Sequence, residues 1–426
     1  MKWKDWDRNL RIRLYGEGVM NFMFWSFFPF MTILFKDAFG EKQAGLLLML
    51  SQVASVCANL VGGYCADRFG RKRMMVFAAM GETATFVLFA YANSPWLSSP
   101  MLTFLSFGLL GVFGAIYWPA SHAMVADVVD EKNRASVFAV FYTTLNIAVV
   151  VGPIIGGMVF FSYRFEMLCI GVLLSATLTF ILHIFLEETS TPAMRNKEEK
   201  KKWYTAIADE LADYRIIAKD KTLLLFIFSG VLIAQTFMQL DILIAVYTSD
   251  QIESATLLNL GNWQWTLNGA QSFSLVLAVN GLIVALFTVF ITKRMSKRKE
   301  KHVFIASSLL YAIAITLYGM TDHLWFMIGC MVLFTIAELM VAGIQESFVA
   351  KLSPKEMRGQ YFSAASLRFT LGRLLAPMSL IFIEWFSYAT VFAIIGSFAL
   401  LSAVMYYGTF KRFEAQQLAQ KPSHLS

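Results

Sequence analysis

Among the charged side chains inside or at the end of long apolar stretches of this chain, eight are the residues best placed to do chemistry. Glu17, Glu82, Asp241, Glu338 and Glu346 are acids, Arg368 and Arg373 are bases, and Glu384 ends its stretch. A charge in a water-poor, apolar segment is costly unless it is paired, hydrated or neutralised. A carboxyl group there has two inexpensive states: protonated, or ionised beside a cation. That makes it a natural proton carrier. Asp241 and Glu338 are the leading candidates for proton coupling, with Glu17 and Glu82 beside them. Arg373 lies deep in its stretch and needs an acid or carbonyl partner. Glu338 is one candidate, so a purely structural role for Glu338 competes with the coupling role. Arg368, Arg373 and Glu346 are the intramembrane ion-pair candidates.

Other chemistries find little support. No nucleophile–base set occurs, and no His/Cys/acid cluster has metal-ligand spacing, so the chain reads as neither an enzyme nor a metal protein. The four cysteines, Cys57, Cys65, Cys169 and Cys330, lie within or beside apolar stretches without a C-x-x-C pair and read as free thiols. His122 and His183 read as satisfied polar residues rather than proton relays. No cofactor is called for; a proton gradient suffices as the driving force. Aromatic residues number 39 Phe, 15 Tyr and 10 Trp. Trp25, Tyr117 and Trp118, with the polar Asn21, Gln235 and Gln239, are candidates for lining a substrate cavity. For each aromatic, packing or an interface belt is the plainer reading. The expected partners are small hydrophobic or cationic compounds, protons and the lipid bilayer, with no nucleic acid and a monomeric state.

These side chains must be positioned by membrane helices. The chain has 426 residues, 57% hydrophobic and 15% charged, where soluble domains carry about 25% charged residues. Twelve apolar stretches are long enough to cross a bilayer as helices. They run over 12–37, 44–66, 74–95, 99–126, 136–161, 165–187, 222–249, 270–292, 303–320, 323–350, 359–384 and 387–410. Their length excludes the short alternating strands of a barrel. The net charge of +7 is not a nucleic-acid signal, because its distribution follows topology. Lys and Arg cluster at the N-terminus and in every second connection, at 67–73, 127–135, 188–221, 293–302 and 351–358. The alternate connections carry only Lys36, Lys42 and Arg164. The positive-inside rule therefore puts both termini in the cytoplasm of a multi-pass cell-membrane protein. No removable signal peptide is evident.

The charged segment 188–221 separates two sets of six spans, giving an N-terminal bundle at 1–187, a linker at 188–221 and a C-terminal bundle at 222–426. Within the linker, Trp203–Arg215 has amphipathic spacing, with Trp203, Ile207, Leu211 and Tyr214 on one face. A shift of 224 positions places Ala126, Arg134, Phe138 and Pro153 on Ala350, Arg358, Phe362 and Pro377. Together with matching hydropathy, this supports duplication of a six-helix unit.

Between spans 2 and 3 runs Gly63-Tyr-Cys-Ala-Asp67-Arg68-Phe-Gly70-Arg71-Lys72-Arg73. Topology explains the cations but not an acid held in frame between two glycines. The pattern G-x-x-x-D-R-x-G-R-K-R resembles the signature loop of the major facilitator superfamily. That resemblance implies an all-α fold of twelve helices in two pseudo-symmetric bundles around a central cavity. It further implies a cytoplasmic latch. Gly63 would admit a neighbouring helix and Gly70 a tight turn. Asp67 would cap the start of span 11 near Arg358, and Arg68 and Arg71 would engage Asp127, with Arg134 in the same network. Gly152-Pro153-Ile-Ile-Gly156-Gly157 in span 5 is similar to the G-P-x-x-G-G motif of the antiporter branch. A member of the drug–proton branch carries acids at places comparable to Asp241 and Glu338, and another in helix 5 where this chain has Phe141. The resemblance thus implies a proton-coupled exporter of hydrophobic, often cationic compounds. Nutrient uptake, transport of a lipid-like molecule and a non-transporting receptor remain open alternatives.

Overall fold

The computed structural model describes residues 6–190, 220–260, 263–354 and 357–420. Twelve helical spans are long and apolar enough to cross a membrane. The first six are single helices: α1 (Arg8–Phe39), α2 (Glu41–Phe69), α3 (Arg71–Ala92), α4 (Pro100–Val128), α5 (Glu131–Val159) and α6 (Arg164–Phe185). Span 7 is broken into α7 (Lys221–Phe237) and α8 (Leu243–Gln251). Spans 8 and 9 are α9 (Gly269–Met295) and α10 (Glu300–Tyr318). Span 10 divides into α11 (Leu324–Ala342) and α12 (Gln345–Leu352), and span 11 into α13 (Arg358–Leu375) and α14 (Met378–Ile383). The last span is α15 (Tyr388–Gln420). Most helices overrun the apolar stretches that announced them, because polar residues finish the turns and cap the ends.

Local chemistry fixes the starts. Ser99 caps α4 by accepting from the Leu102 N–H at 3.3 Å, with Pro100 in the first turn. Asn268 and Gln271 form a capping box on α9. Asp220 accepts from the N–H groups of Thr222 and Leu223 at the head of α7. The connection between spans 7 and 8 holds an antiparallel pair, β3 (Ala255–Leu260) and β4 (Trp263–Leu267), with an irregularity between Thr256 and Leu258. A shorter pair, β1 (Asn93–Ser94) and β2 (Leu97–Ser98), joins α3 to α4.

The chain divides into two compact units, residues 1–208 and 209–426. In the first, α1 packs on α5, α2 on α4, and α3 on both α4 and α6. In the second, α7 packs on α13, α9 on α11, and α10 on both α11 and α15. The pairing pattern is the same in both units, as a duplicated six-helix unit requires. Many large apolar side chains face outward, among them Leu173, Phe180, Leu286, Val289 and Val404. In a bilayer that surface meets lipid rather than water.

Close helix contacts explain part of the glycine pattern. A Cβ on Gly156 would strike the Ser26 carbonyl of α1, and one on Gly152 would meet the backbone of Trp25. The 152–157 motif is therefore the seam between α5 and α1. In the signature loop the close approach is made by Gly62, not Gly63 as expected. Its Cβ would lie 2.8 Å from the Ile116 Cα of α4, whereas the nearest atom to a Gly63 Cβ is Pro119 Cβ at 4.0 Å. Gly70 adopts φ +105° between α2 and α3, a turn that strains other residues.

The breaks in spans 7, 10 and 11 were not expected from the sequence. Pro377 removes a backbone donor between α13 and α14. Gly343 stands at the α11–α12 junction. Span 7 has neither residue at its break. A 3-10 turn over Met238–Asp241 interrupts it.

Candidate functional site

In the first unit, two polar clusters emerge. The first, at the turn between α2 and α3, is centred on Arg71, whose side chain is 8% exposed. It pairs with Asp67 at 2.8 Å and Asp127 at 3.2 Å, and donates to the Ala66 carbonyl at 2.9 Å. Glu188, just past α6, accepts the Arg71 backbone N–H at 2.9 Å, capping the start of α3 in trans. Thr189 donates to Asp127 at 2.9 Å. Burial pushes the Glu188 carboxyl up. Hydrogen bonds from Ser190 and from the Arg71 and Lys72 backbone outweigh it, holding the group below its ordinary range. Arg68 turns instead to Tyr64, donating to its hydroxyl at 2.9 Å. The Arg134 and Arg358 side chains and linker residues 191–219, with the amphipathic stretch, lie outside the described residues.

The second cluster lies within the spans. Glu17 Oε1 accepts from Arg13 Nε at 2.9 Å, Ser121 Oγ at 2.6 Å and Tyr117 OH at 3.1 Å. Arg13 also donates to Ser121 and lies 5.0 Å from the Phe141 ring centroid. Glu17 is thus an ion-paired carboxylate, and Tyr117 is committed to it. Glu82 differs. Its Oε1 faces Gly114, and among the described residues it has no basic partner and accepts no hydrogen bond. Trp25 stacks edge-on against Phe28 at 5.5 Å, while Trp118 packs on His122 at 4.9 Å. Asn21 is half-buried.

In the second unit, two broken spans are tied at their breaks. Gln239 Nε2 donates to the Gln235 carbonyl and to the Ala376 carbonyl, each at 3.1 Å; Ser379 donates to Gln239 Oε1 at 2.7 Å. Gln239 is fully buried, and its amide joins α7 to the α13–α14 break. Gln235, also buried, donates to Thr236 at 3.1 Å. Asp241 sits in the same interruption. The acid whose charge acts on Arg373 is Asp241, not Glu338. Arg368, 3% exposed, pairs with Glu346 at 2.9 Å and lies over the rings of Phe226 and Phe369. Its stem occupies the space left by Gly230.

Glu338 is held by neutral groups. Asn280 Nδ2 on α9 donates to Glu338 Oε2 at 3.2 Å and to Thr335 Oγ1 at 2.9 Å. Thr335 in turn donates to the Met331 carbonyl at 2.8 Å. No Lys or Arg pairs with Glu338 among the described residues.

A sequence model of the Major Facilitator Superfamily matches residues 16–377 and 254–425. The chain belongs to the major facilitator superfamily. Like the relatives in that superfamily, it is a transporter with membrane-spanning helices and not an enzyme. Over 422 residues it is 50% identical to a "Na(+), Li(+), K(+)/H(+) antiporter" of Planococcus maritimus, covering 98% of this chain and 100% of that protein. It is 24% identical over 351 residues to the "Multidrug resistance protein MdtH" of Yersinia pestis, covering 82% and 80%. Among solved structures, a POT family transporter in complex with 5-aminolevulinic acid superposes with a TM-score of 0.75 at 15% identity, covering 96% of this chain and 98% of that one. At that identity the likeness speaks for the fold alone.

Several participants in this superfamily member's sites were missed in the sequence. Arg13 was grouped with the N-terminal topology cations, although its i,i+4 spacing to Glu17 on one helix was a usable signal. Thr335 stands three residues before Glu338 on one helix, a usable signal as well, whereas Asn280 is on another span and no spacing rule joins it to Glu338. Glu188 and Ser379 carry no local signal either.

Proposed function

We propose that this protein exchanges a monovalent alkali cation (sodium, lithium or potassium) for protons by alternating access of its two bundles. One observation carries the reading. Two membrane acids, Glu82 and Glu338, have no basic partner among the described residues, whereas Glu17 is paired with Arg13 and Asp241 feels Arg373. An unpaired carboxylate in an apolar span is neutral only with a proton or a cation beside it. A carrier whose acid must hold one or the other exchanges the two. The antiporter of Planococcus maritimus, similar over its full length, supports the same chemistry.

Export of hydrophobic, often cationic compounds is the second reading. It is favoured by the likeness to MdtH and by the aromatic group Phe24, Trp25 and Phe28 on α1. The Lys and Arg distribution supports cytoplasmic termini and a cell-membrane location, and the Arg71–Asp67–Asp127 ion pairs within the first unit support a cytoplasmic latch role for the signature loop.

Proteoliposomes holding the purified protein and a pH-sensitive dye test both readings. With an imposed proton gradient, pulses of NaCl, LiCl or KCl should collapse the gradient, and choline chloride should not. A gradient that responds only to ethidium-like dyes would sink cation exchange and favour drug export.

A further inference from the structure

The exchange reading leaves open where the cation binds, and the second unit holds a group with the needed chemistry. Glu338 lies in α11, within a span apolar enough to cross a membrane. Asn280 is 5% exposed and Thr335 fully buried. Two helices therefore bring a carboxylate, a carboxamide and a hydroxyl together in an apolar interior. Buried polar groups of this kind are normally explained by mutual hydrogen bonding, and here the bonding is conditional. Both Asn280 donors are spent on oxygen atoms, Thr335 Oγ1 and Glu338 Oε2. The hydrogen of Thr335 is spent on the Met331 carbonyl, which leaves its oxygen facing the amide as an acceptor. A half-turn of the Asn280 amide exchanges its nitrogen for its oxygen. Three oxygens would then face one point: carboxylate, amide carbonyl and hydroxyl. Hard monovalent and divalent cations alike favour oxygen ligands, but a single carboxylate neutralises only one positive charge.

We propose that Glu338, Asn280 and Thr335 form the site at which an alkali cation replaces a proton, with the Asn280 amide turning between donor and acceptor as the site exchanges. The proposal rests on the exchange reading above. In the proton-loaded form the Glu338 carboxyl is neutral. When the cation enters, the carboxyl gives up one proton to water and its charge is balanced by the cation. Charge at the site is the same before and after, so exchange there is one for one and electroneutral. Nothing facing Glu338 from its neighbours upsets that balance. From α10 the titratable neighbour is the buried phenol of Tyr311, and from α9 the partner is neutral Asn280, among the described residues. Among the described residues Glu82 in the first unit accepts no hydrogen bond from comparable ligands, and the Asp241 site includes the fixed positive charge of Arg373, which repels a second cation.

The test compares Thr335→Val, Thr335→Ser, Asn280→Ala and Glu338→Gln with the wild type in the proteoliposome assay, using NaCl, LiCl and KCl. Thr335→Val is nearly isosteric and removes the oxygen; Thr335→Ser restores it. Losing one oxygen ligand should raise the half-saturating cation concentration about tenfold in Thr335→Val and Asn280→Ala. It should also change the order of preference among the three ions, which a merely structural defect would not do. Thr335→Ser should behave as wild type. Glu338→Gln should lose exchange while keeping its thermal stability in detergent, and the wild-type rate should not respond to a potassium–valinomycin membrane potential during sodium exchange. Unaltered affinity and ion preference in both Thr335→Val and Asn280→Ala would overturn the site, even if Glu338→Gln is inactive. A wild-type protein that ignores all three cations would instead remove the exchange reading, and the site with it.

Discussion

Arg13→Met should destabilise the first unit far more than loss of one surface charge would. Arg13 and Glu17 have side chains only 2% and 9% exposed, and they meet at 2.9 Å. Without the guanidinium, Glu17 keeps two neutral donors, Tyr117 and Ser121, against a buried negative charge. Breaking one side of a buried pair costs about 3–5 kcal/mol. Loss of the Arg13–Phe141 contact adds about 1 kcal/mol. Glu17→Met should cost a similar amount by stranding Arg13. The double variant Arg13→Met/Glu17→Met removes both charges and leaves two flexible apolar chains. Such replacements are often neutral or stabilising, so it should lie within about 1 kcal/mol of the wild type. The cycle then gives a coupling energy of several kcal/mol. Unfolding of the purified protein in mixed micelles by graded SDS, followed by loss of helical circular dichroism, measures all four corners. If the single effects simply add in the double variant, the pair is not the unit described here. The ordinary expectation for exposed pairs, 0–1 kcal/mol, would then apply despite the burial.

Other outcomes follow from the packing and the Arg71 cluster. Gly62→Ala should impair folding, because its Cβ meets the Ile116 backbone, whereas Gly63→Ala should fold normally; expression as a monodisperse species in detergent reads the difference. Glu188 has its carboxyl held below the ordinary range, so its contribution is present above that range and is lost as pH falls through the depressed value. Exchange of the Arg71 and Lys72 amides, corrected for intrinsic rate, should therefore accelerate on acidification, and in Glu188→Gln it should be fast at every pH. Asp67→Asn removes one of the two acids on Arg71 and should cut transport more than cation affinity, shifting spin-label distances between the cytoplasmic ends of the bundles; unchanged distances and flux would leave Asp67 a topological role only.

The sequence announced the architecture because the bilayer reduces it to few rules. Twelve apolar runs of sufficient length and a one-sided distribution of Lys and Arg leave little choice of element type or order. The 152–157 motif was legible for the same reason: small residues repeated on one helix face require a close neighbour, and α1 is that neighbour. What stayed hidden was pairing between side chains far apart in the chain. Arg373 was given Glu338 as a candidate partner because the two spans are adjacent in sequence. The fold instead brings Asp241 within electrostatic reach of it, at a break in span 7 that no Pro or Gly foretells. Gln239, read as a polar cavity residue, joins α7 to the α13–α14 break, where its amide adds a third donor to an Ala376 carbonyl that already accepts from the Ser379 N–H and hydroxyl. Broken helices expose backbone groups, and only the fold shows which side chain meets them.

Pairing also sorts the acids by what they can do, which their identity alone could not. A carboxylate beside a fixed arginine is already neutralised and has little reason to change its occupant during a cycle. Glu17 is in that position, and Glu346 holds Arg368 in the same way. A carboxylate surrounded by neutral donors must find its positive charge elsewhere, and the choice then depends on pH and on cation concentration. Glu338 is in this second position, with the Asn280 amide donating both to it and to Thr335. The same argument predicts what happens when a fixed charge is supplied. Asn280→Lys would place a permanent cation beside Glu338, and it should abolish exchange without loss of folding, because the acid would then need neither proton nor metal ion. Half-saturation and ion preference retained in that variant would show that the exchanging carboxylate lies elsewhere.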